Sequence, residues 1–463
     1  MKKIKEKIAG SKNMFIFVVL AVSFIKGLMW IAMVPLFEAP DEPVQFDYVL
    51  KIAENKKIFF DRNDKKDSFQ SEEICTAARY SGLLKFSPSY RNKYNFTPDQ
   101  TGENEKNIDS LPFSLRKENS DIPAISIQYP PFYYLLATVP YGIFYNSSII
   151  TRVFAVRLFS LLLALLTIFA VYKTAELVFA KQKYLPAIIA LLVSFNPMFT
   201  FISSSVNSDN LLTLFFTVFL YFYAKIFLNK HKPRDIVFLV LIVVLGNITK
   251  QHFALSLVML FGLFCFTDKY SLKTRIIAGA ACLALLFLAM FNLKSNFPVP
   301  VFAEKTVSVF RYVYESFLPF FFGNALSASF YGNFGWLNVP VPIWVSRFLL
   351  IFTLVCIGLY FYDLARAVLK RKSFLNFRTH LLLLIPVLIY TAGLIYVDCN
   401  IKFGLQGRYF FPVISFIYIC LISGLLSVTA KKHHMNILAG LSLAAVLFNA
   451  YCLLLIILPR YYL

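Results

Sequence analysis

The chain has 463 residues, of which 58% are hydrophobic and 15% charged, and it contains 51 phenylalanines. Such a composition excludes a soluble globular domain, since no water-soluble fold needs so many long apolar runs, and it predicts an all-α polytopic membrane protein. The formal net charge of +21 would suit nucleic acid, but the basic residues gather in short links between apolar runs, so they read as cytoplasmic orientation signals and nucleic acid is not a predicted partner.

In chain order, residues 1–13 form a basic cytoplasmic terminus with Lys2, Lys3, Lys5, Lys7 and Lys12. Met14 to Leu36 then carries a single charge, Lys26, and its 23 residues suffice to cross a hydrocarbon core of about 30 Å. The run is too long for a signal-peptide core and lacks a small-residue cleavage site, so 14–36 is predicted to be a retained first transmembrane helix. Residues 37–128 are expected to form an extracytoplasmic cap, which opens with Pro40-Asp41-Glu42-Pro43. Pro43 suits the first turn of a helix, so capping is the plain reading of one acid. Two adjacent carboxylates at a membrane surface suit a second role, removal of a proton from an attacking hydroxyl.

Segment 129–146 begins at Pro130-Pro131 and is interrupted by Pro140 and Gly142, leaving about a dozen helical residues or roughly 20 Å. It is expected to lie as a re-entrant or interfacial helix with its tyrosines at headgroup level; an ordinary kinked span is the alternative. A transmembrane bundle follows over 147–293, with spans at 153–180, 184–205, 210–229, 235–249, 251–267 and 275–293. A second extracytoplasmic region, 294–342, holds an amphipathic segment around Thr306 to Phe322 and the aromatic run Ser329 to Trp336. Residues 343–463 add spans at 343–369, 380–397, 409–428 and 436–458. Eleven crossings put every remaining basic cluster on the cytoplasmic side: Lys181 and Lys183, the groups near 230–234, 269–275 and 370–378, and Lys431 with Lys432.

Of seven cysteines, Cys265, Cys282, Cys356, Cys420 and Cys452 lie in apolar runs and read as small core residues, whereas Cys75 and Cys399 would pair if the cap folded over the last outer loop. Neither CxxC nor His/Cys ligand spacing for zinc is present. His252 is the one histidine near the outer face. A further outer acid, Asp209, follows the turn Ser203 to Ser208 and reads either as a helix cap or as a partner of Asp41. Lys250, Arg408, Arg152 and Arg157 are the basic residues on this face, suited to hold a phosphate by charge-assisted hydrogen bonds or to anchor in the interface.

The order of these motifs resembles the GT-C superfamily of membrane glycosyltransferases, closest to a bacterial branch with a PPDEP-type first loop. The residues that carry the resemblance are "APDEPVQFDYVLKIAENKKI", "QYPPFYYLL", "RLFSLLLALLTIFAVYKTAELVF", "SSSVNSDNLLTLFF", "NITKQ", "SFYGNFGWLNVPVP" and "QGRYFFP". Each motif alone is weak; their order over nearly the whole chain is the specific part. The resemblance implies inverting transfer of a sugar from a polyprenyl-phosphate donor on the non-cytoplasmic face.

By resemblance, Asp41 and Glu42 match the first-loop acids, Asp41 being the expected general base and Glu42 the alternative, and Asp209 matches the second-loop acid. Lys250 and Arg408 match basic positions near the donor phosphate, and Arg157 is a further phosphate candidate. Gln45 stands where relatives often carry His; with Asp209 it is a candidate for positioning the acceptor or a divalent cation, Mg or Mn. Tyr129, Tyr331, Trp336 and Tyr409 are candidates to stack on sugar or lipid. The lysine-, isoleucine- and asparagine-rich usage suits a bacterium with an AT-rich genome. It implies a plasma-membrane protein, undecaprenyl phosphate as carrier and a cell-envelope glycan or glycolipid as acceptor. A flippase, transporter or polymerase of lipid-linked glycans is the rival reading. The first two are disfavoured because the acids sit at the membrane edge and the halves show no internal repeat.

Overall fold

A computed structural model of the chain describes residues 2–61, 63–81, 98–266, 309–401 and 404–462. The first helix, α1 (Lys2–Met33), is apolar from Met14 onward and contains the first membrane-spanning run. Six of the other predicted spans appear as single long apolar helices: α7 (Ile149–Val178), α10 (Asp209–Phe227), Ile343–Val368, Phe377–Asn400, Gly407–Ser427 and Lys431–Tyr462.

Among the described residues, then, seven helices are long and apolar enough to cross a membrane, or eight with one bent pair, against the eleven crossings predicted. The bent pair occupies the predicted span 184–205. Its halves, α8 (Leu185–Ser194) and α9 (Pro197–Ser203), meet at 66° where Pro197 cannot continue the hydrogen-bond ladder. The predicted spans 235–249 and 251–267 become α11 (Pro233–Asn247), whose 15 residues rise only about 22 Å, and a 3-10 turn leading into α12 (Leu255–Phe266). The predicted span 275–293 lies outside the described residues, as do Cys282 and the start of the amphipathic segment.

The break between α8 and α9 accounts for the lone charge of the first span. The Lys26 ammonium donates to the Ser194 carbonyl, which α8 leaves open at its end, and to Thr200 Oγ1 at 2.9 Å. Asn449 donates to Thr200 Oγ1 at 3.1 Å, and Trp30 donates to Asn449 Oδ1 at 3.0 Å. Backbone groups freed inside a bilayer need such partners, because no water supplies them.

The cap consists of α2 (Glu42–Asn55), α3 (Lys65–Ser68), strand β1 (Phe69–Ser71), α4 (Glu72–Tyr80), α5 (Pro98–Asp109) and strand β2 (Asn119–Pro123). The strands pair antiparallel, with Phe69 opposite Pro123 and Ser71 opposite Asn119. Ser71 then caps α4 by accepting from the Ile74 amide, and Glu72 and Glu73 complement the helix dipole. The 12-residue helix α6 (Phe132–Ile143) rises about 18 Å, less than a membrane core. It buries Tyr133, Tyr134, Ala137 and Tyr141 while exposing Leu135, Val139 and Ile143.

Two apolar cores result. The larger fills the helix bundle, and the second joins the cap to the bundle through Phe37, Phe46, Tyr48, Tyr134, Val153 and Leu211. A buried ion network reinforces the second: Arg152 contacts Glu73 at 2.5 Å, while Arg116 lies 3.5 Å from Glu73 and 3.8 Å from Glu54. Cys75 is a buried free thiol within the cap, so the disulfide considered with Cys399 is not formed.

Candidate active site

The chain leaves α1 and turns toward α2 through two non-glycine residues in the left-handed region, Phe37 (φ 65°) and Asp41 (φ 66°). Such conformations cost on the order of 1–3 kcal/mol each and need surrounding structure to hold them. Asp41 precedes α2, yet its side chain makes no capping hydrogen bond, which overturns the capping reading for this acid. Its Oδ2 instead accepts from Arg408 Nη2 at 2.9 Å. The Asp41 side chain is 46% exposed, while that of Arg408 is 3% exposed.

Arg408 is held in the 3-10 turn Gly407–Val413. Gly407 allows this turn to press against the chain at Phe330, because a Cβ there would sit 2.3 Å from the Phe330 nitrogen. The Gly407 amide also donates to Ser329 Oγ at 2.8 Å. With Nη2 on Asp41, the Nε and Nη1 of Arg408 are buried without hydrogen-bond partners. These two donors lie on different edges of the guanidinium, so they offer an anion two separate hydrogen bonds rather than a bidentate fork.

A second ion pair stands beside the first. Asp209, at the start of α10, accepts through Oδ1 from the Lys250 ammonium, and both side chains are below 15% exposed. Lys250 occupies the extended link after α11, with Nζ 5.7 Å from the Tyr129 ring centroid. Burial opposes the Lys250 charge, but the Asp209 carboxylate outweighs it and raises the pKa. The Tyr129 phenol is also raised, chiefly by burial, with Lys250 acting in the opposite sense.

Asp209, Lys250 and Arg408 line a narrow cleft with His252 and Tyr409, whose free space of about 10 Å³ is that of a single water molecule. Leu212, Tyr390, Leu394 and Pro412 form its apolar side. Acid, base and apolar wall thus come together from segments far apart in the chain.

Other sequence candidates fall elsewhere. Glu42 is fully buried: its Oε1 accepts from Arg157 Nε at 2.8 Å and the Val206 amide at 2.9 Å, and its Oε2 from Arg157 Nη2 at 2.6 Å and the Phe37 amide at 3.1 Å. Arg157 is equally buried and spends its remaining donors on the carbonyls of Ile31, Val34 and Pro35. Both are fully buried, and neither is among the side chains that line the cleft. Gln45 lies in the second core, where its Oε1 accepts from the Tyr134 hydroxyl at 2.5 Å.

Among the aromatics, Tyr409 lines the cleft and Tyr129 borders it. The Trp336 indole donates to the Phe37 carbonyl at 3.1 Å and so braces the Asp41 loop. Tyr331 turns away to share a hydrogen bond with Thr353 Oγ1. Sequence reasoning missed Tyr390 and Leu394, which sit within a uniformly apolar helix and carry no local signal; His252 was signalled only by its place beside Lys250.

A divalent cation does not fit the described residues around the cleft. Among the described residues no three His, Cys, Asp or Glu side chains converge, and Asp209 and Asp41 are each already met by a cationic side chain.

A family model described as "Predicted membrane protein (DUF2142)" matches residues 24–417. Among solved structures the chain is similar to the Archaeoglobus fulgidus oligosaccharyltransferase in complex with zinc and sulfate, at 14% identity and a TM-score of 0.44, covering 96% of this chain and 53% of that one. AglB from Archaeoglobus fulgidus, in complex with an inhibitory peptide and a dolichol-phosphate, matches at 14% identity and a TM-score of 0.46, covering 97% and 56%. ArnT from Cupriavidus metallidurans, bound to undecaprenyl phosphate, matches at 14% identity and a TM-score of 0.45, covering 98% and 74%. The chain spans about half the length of the oligosaccharyltransferases it matches. No curated protein matches it in sequence.

Proposed function

The chain belongs to the DUF2142 family of predicted membrane proteins, and from that premise we propose that it is a GT-C-type glycosyltransferase. It transfers a sugar from a polyprenyl-phosphate donor, undecaprenyl phosphate being the carrier, to a cell-envelope glycan or glycolipid on the extracytoplasmic face. The observation that carries this reading is the meeting of Asp209, Lys250 and Arg408 at one cleft, with the half-exposed Asp41 carboxylate paired to Arg408 from outside its lining and two donors of Arg408 still unpaired.

The chemistry needs those charges on those sides. A sugar linked to a polyprenyl phosphate is a phosphodiester with one negative charge. When the acceptor oxygen attacks the anomeric carbon, the bond from that carbon to the phosphate oxygen breaks and the carrier leaves as a phosphate monoester with one more negative charge. Lys250 and the free donors of Arg408 stabilise that developing charge, most strongly where water is scarce. The acceptor hydroxyl gives its proton to Asp41, the exposed carboxylate of the four groups, as attack proceeds in line through an oxocarbenium-like state. Asp209 keeps the Lys250 ammonium charged and aimed. Tyr390, Leu394 and Leu212 offer an apolar wall to the first isoprene units.

The test is direct. The protein in lipid nanodiscs is incubated with a panel of undecaprenyl-phosphate sugars and envelope glycan acceptors, and transfer is followed by radiolabel. Acceptor-dependent loss of label from the lipid supports the reading. Binding of the lipid with movement between leaflets but no transfer would replace it with the flippase reading.

A further inference from the structure

The mechanism leaves unused a buried acid whose carboxylate accepts four hydrogen bonds. Glu42 has no exposure, and its two oxygens divide their partners in a regular way. Oε2 accepts from the Phe37 amide at 3.1 Å, four residues before Asp41, and Oε1 accepts from the Val206 amide at 2.9 Å, three residues before Asp209. Arg157 grips both oxygens, at 2.8 and 2.6 Å, while its Nη1 and Nη2 take the Val34 and Pro35 carbonyls at 2.6 and 2.8 Å. A planar fork of five donors suits this task, for it joins one carboxylate and the open end of α1 in a fixed plane.

We infer that the Glu42–Arg157 pair is a positioning device for transfer, setting the Asp41 loop and the Asp209 turn at a fixed separation by binding one backbone amide of each. This deepens the proposed function and rests on it. The left-handed turns at Phe37 and Asp41 are what such a clamp must sustain, and Trp336 holds the Phe37 carbonyl from the other side. Without the clamp, the loop is free to relax and Asp41 shifts relative to the phosphate site. A misplacement near 1 Å costs roughly 100-fold in rate. Lys250 and Arg408 come from other segments, so donor affinity stays with them.

The experiment compares wild type with Glu42→Gln and Glu42→Asp in nanodiscs. Gln offers one acceptor in place of two, so one amide loses its partner; Asp keeps the charge but withdraws the carboxylate by one methylene. Measured are kcat, dissociation of the undecaprenyl-phosphate sugar that wild type turns over, and hydrogen exchange of peptides containing Phe37 and Val206. The expected result is a kcat loss of roughly 100-fold, donor affinity within about threefold, and faster exchange in both peptides. Unchanged kcat, or donor affinity falling in step with kcat, overturns the inference. If wild type transfers no sugar, the proposed function falls and exchange alone judges the clamp. Unprotected Phe37 and Val206 amides in wild type overturn it even if neither variant folds.

Discussion

Arg408→Gln separates a residue kept for chemistry from one kept for folding. In the ligand-free protein Arg408 is 4% exposed and leaves Nε and Nη1 without partners. Buried unsatisfied donors cost roughly 1–3 kcal/mol each, so the two together cost about 2–6 kcal/mol. The compensating contact is one ion pair to a carboxylate that is 46% exposed, worth about 0–1 kcal/mol after solvent screening. Glutamine should therefore leave thermal stability unchanged or raise it. Transfer should fall roughly 100- to 1,000-fold in kcat, the usual effect of removing one donor from a developing oxyanion. Arg408→Lys keeps the charge without the planar fork and should fall between the two. The assay is thermal unfolding in nanodiscs beside turnover of the same preparation. Activity retained within threefold, or lost only together with a large drop in stability, would refute the reasoning.

Other predictions follow from the same geometry. Lys250→Met strands the partly buried Asp209 carboxylate and should cost roughly 1–3 kcal/mol as well as donor affinity, seen as parallel losses in thermal midpoint and lipid binding. Because Lys250 and Arg408 meet the Asp209 and Asp41 carboxylates, chelation with EDTA should leave transfer unchanged, and a strict Mg or Mn requirement would contradict this. Burial pushes the Glu38 carboxyl up to about 7 from 4.5, with the Tyr461 hydroxyl donating to it at 3.1 Å. The folded protein thus holds that proton more tightly than the unfolded chain, so stability falls as pH rises from about 4.5 to 7, by on the order of 3 kcal/mol. Glu38→Gln should raise the thermal midpoint at pH 8 and not at pH 4; equal gains at both would contradict the assignment.

Much of the fold was legible because twenty apolar residues in a row have few other destinations. Seven predicted spans correspond to long helices, and at two others the described residues depart from prediction for local causes that hydropathy does not register. Pro197 breaks one span, and the link at Lys250 ends α11 after 15 residues, a rise of about 22 Å that falls short of a membrane core. The site was legible as a set of residue types. Asp41, Asp209, Lys250 and Arg408 were each visible as polar residues at the edge of apolar runs. Their pairing was not, since Asp41 and Arg408 are separated by 367 residues. Nor does sequence reveal direction: Asp41 and Glu42 are neighbours, yet one opens to solvent and the other turns wholly inward onto Arg157. The left-handed turn at Asp41 produces that divergence, and no glycine announces it.

The central claim is that Asp41 takes the acceptor's proton. Wild type and Asp41→Asn, matched in yield and thermal midpoint, are compared for sugar transfer and for donor binding with one undecaprenyl-phosphate sugar. The account predicts loss of transfer by at least roughly 100-fold with donor binding retained or tightened, since asparagine frees the Arg408 fork for phosphate. Undiminished transfer by Asp41→Asn would contradict it.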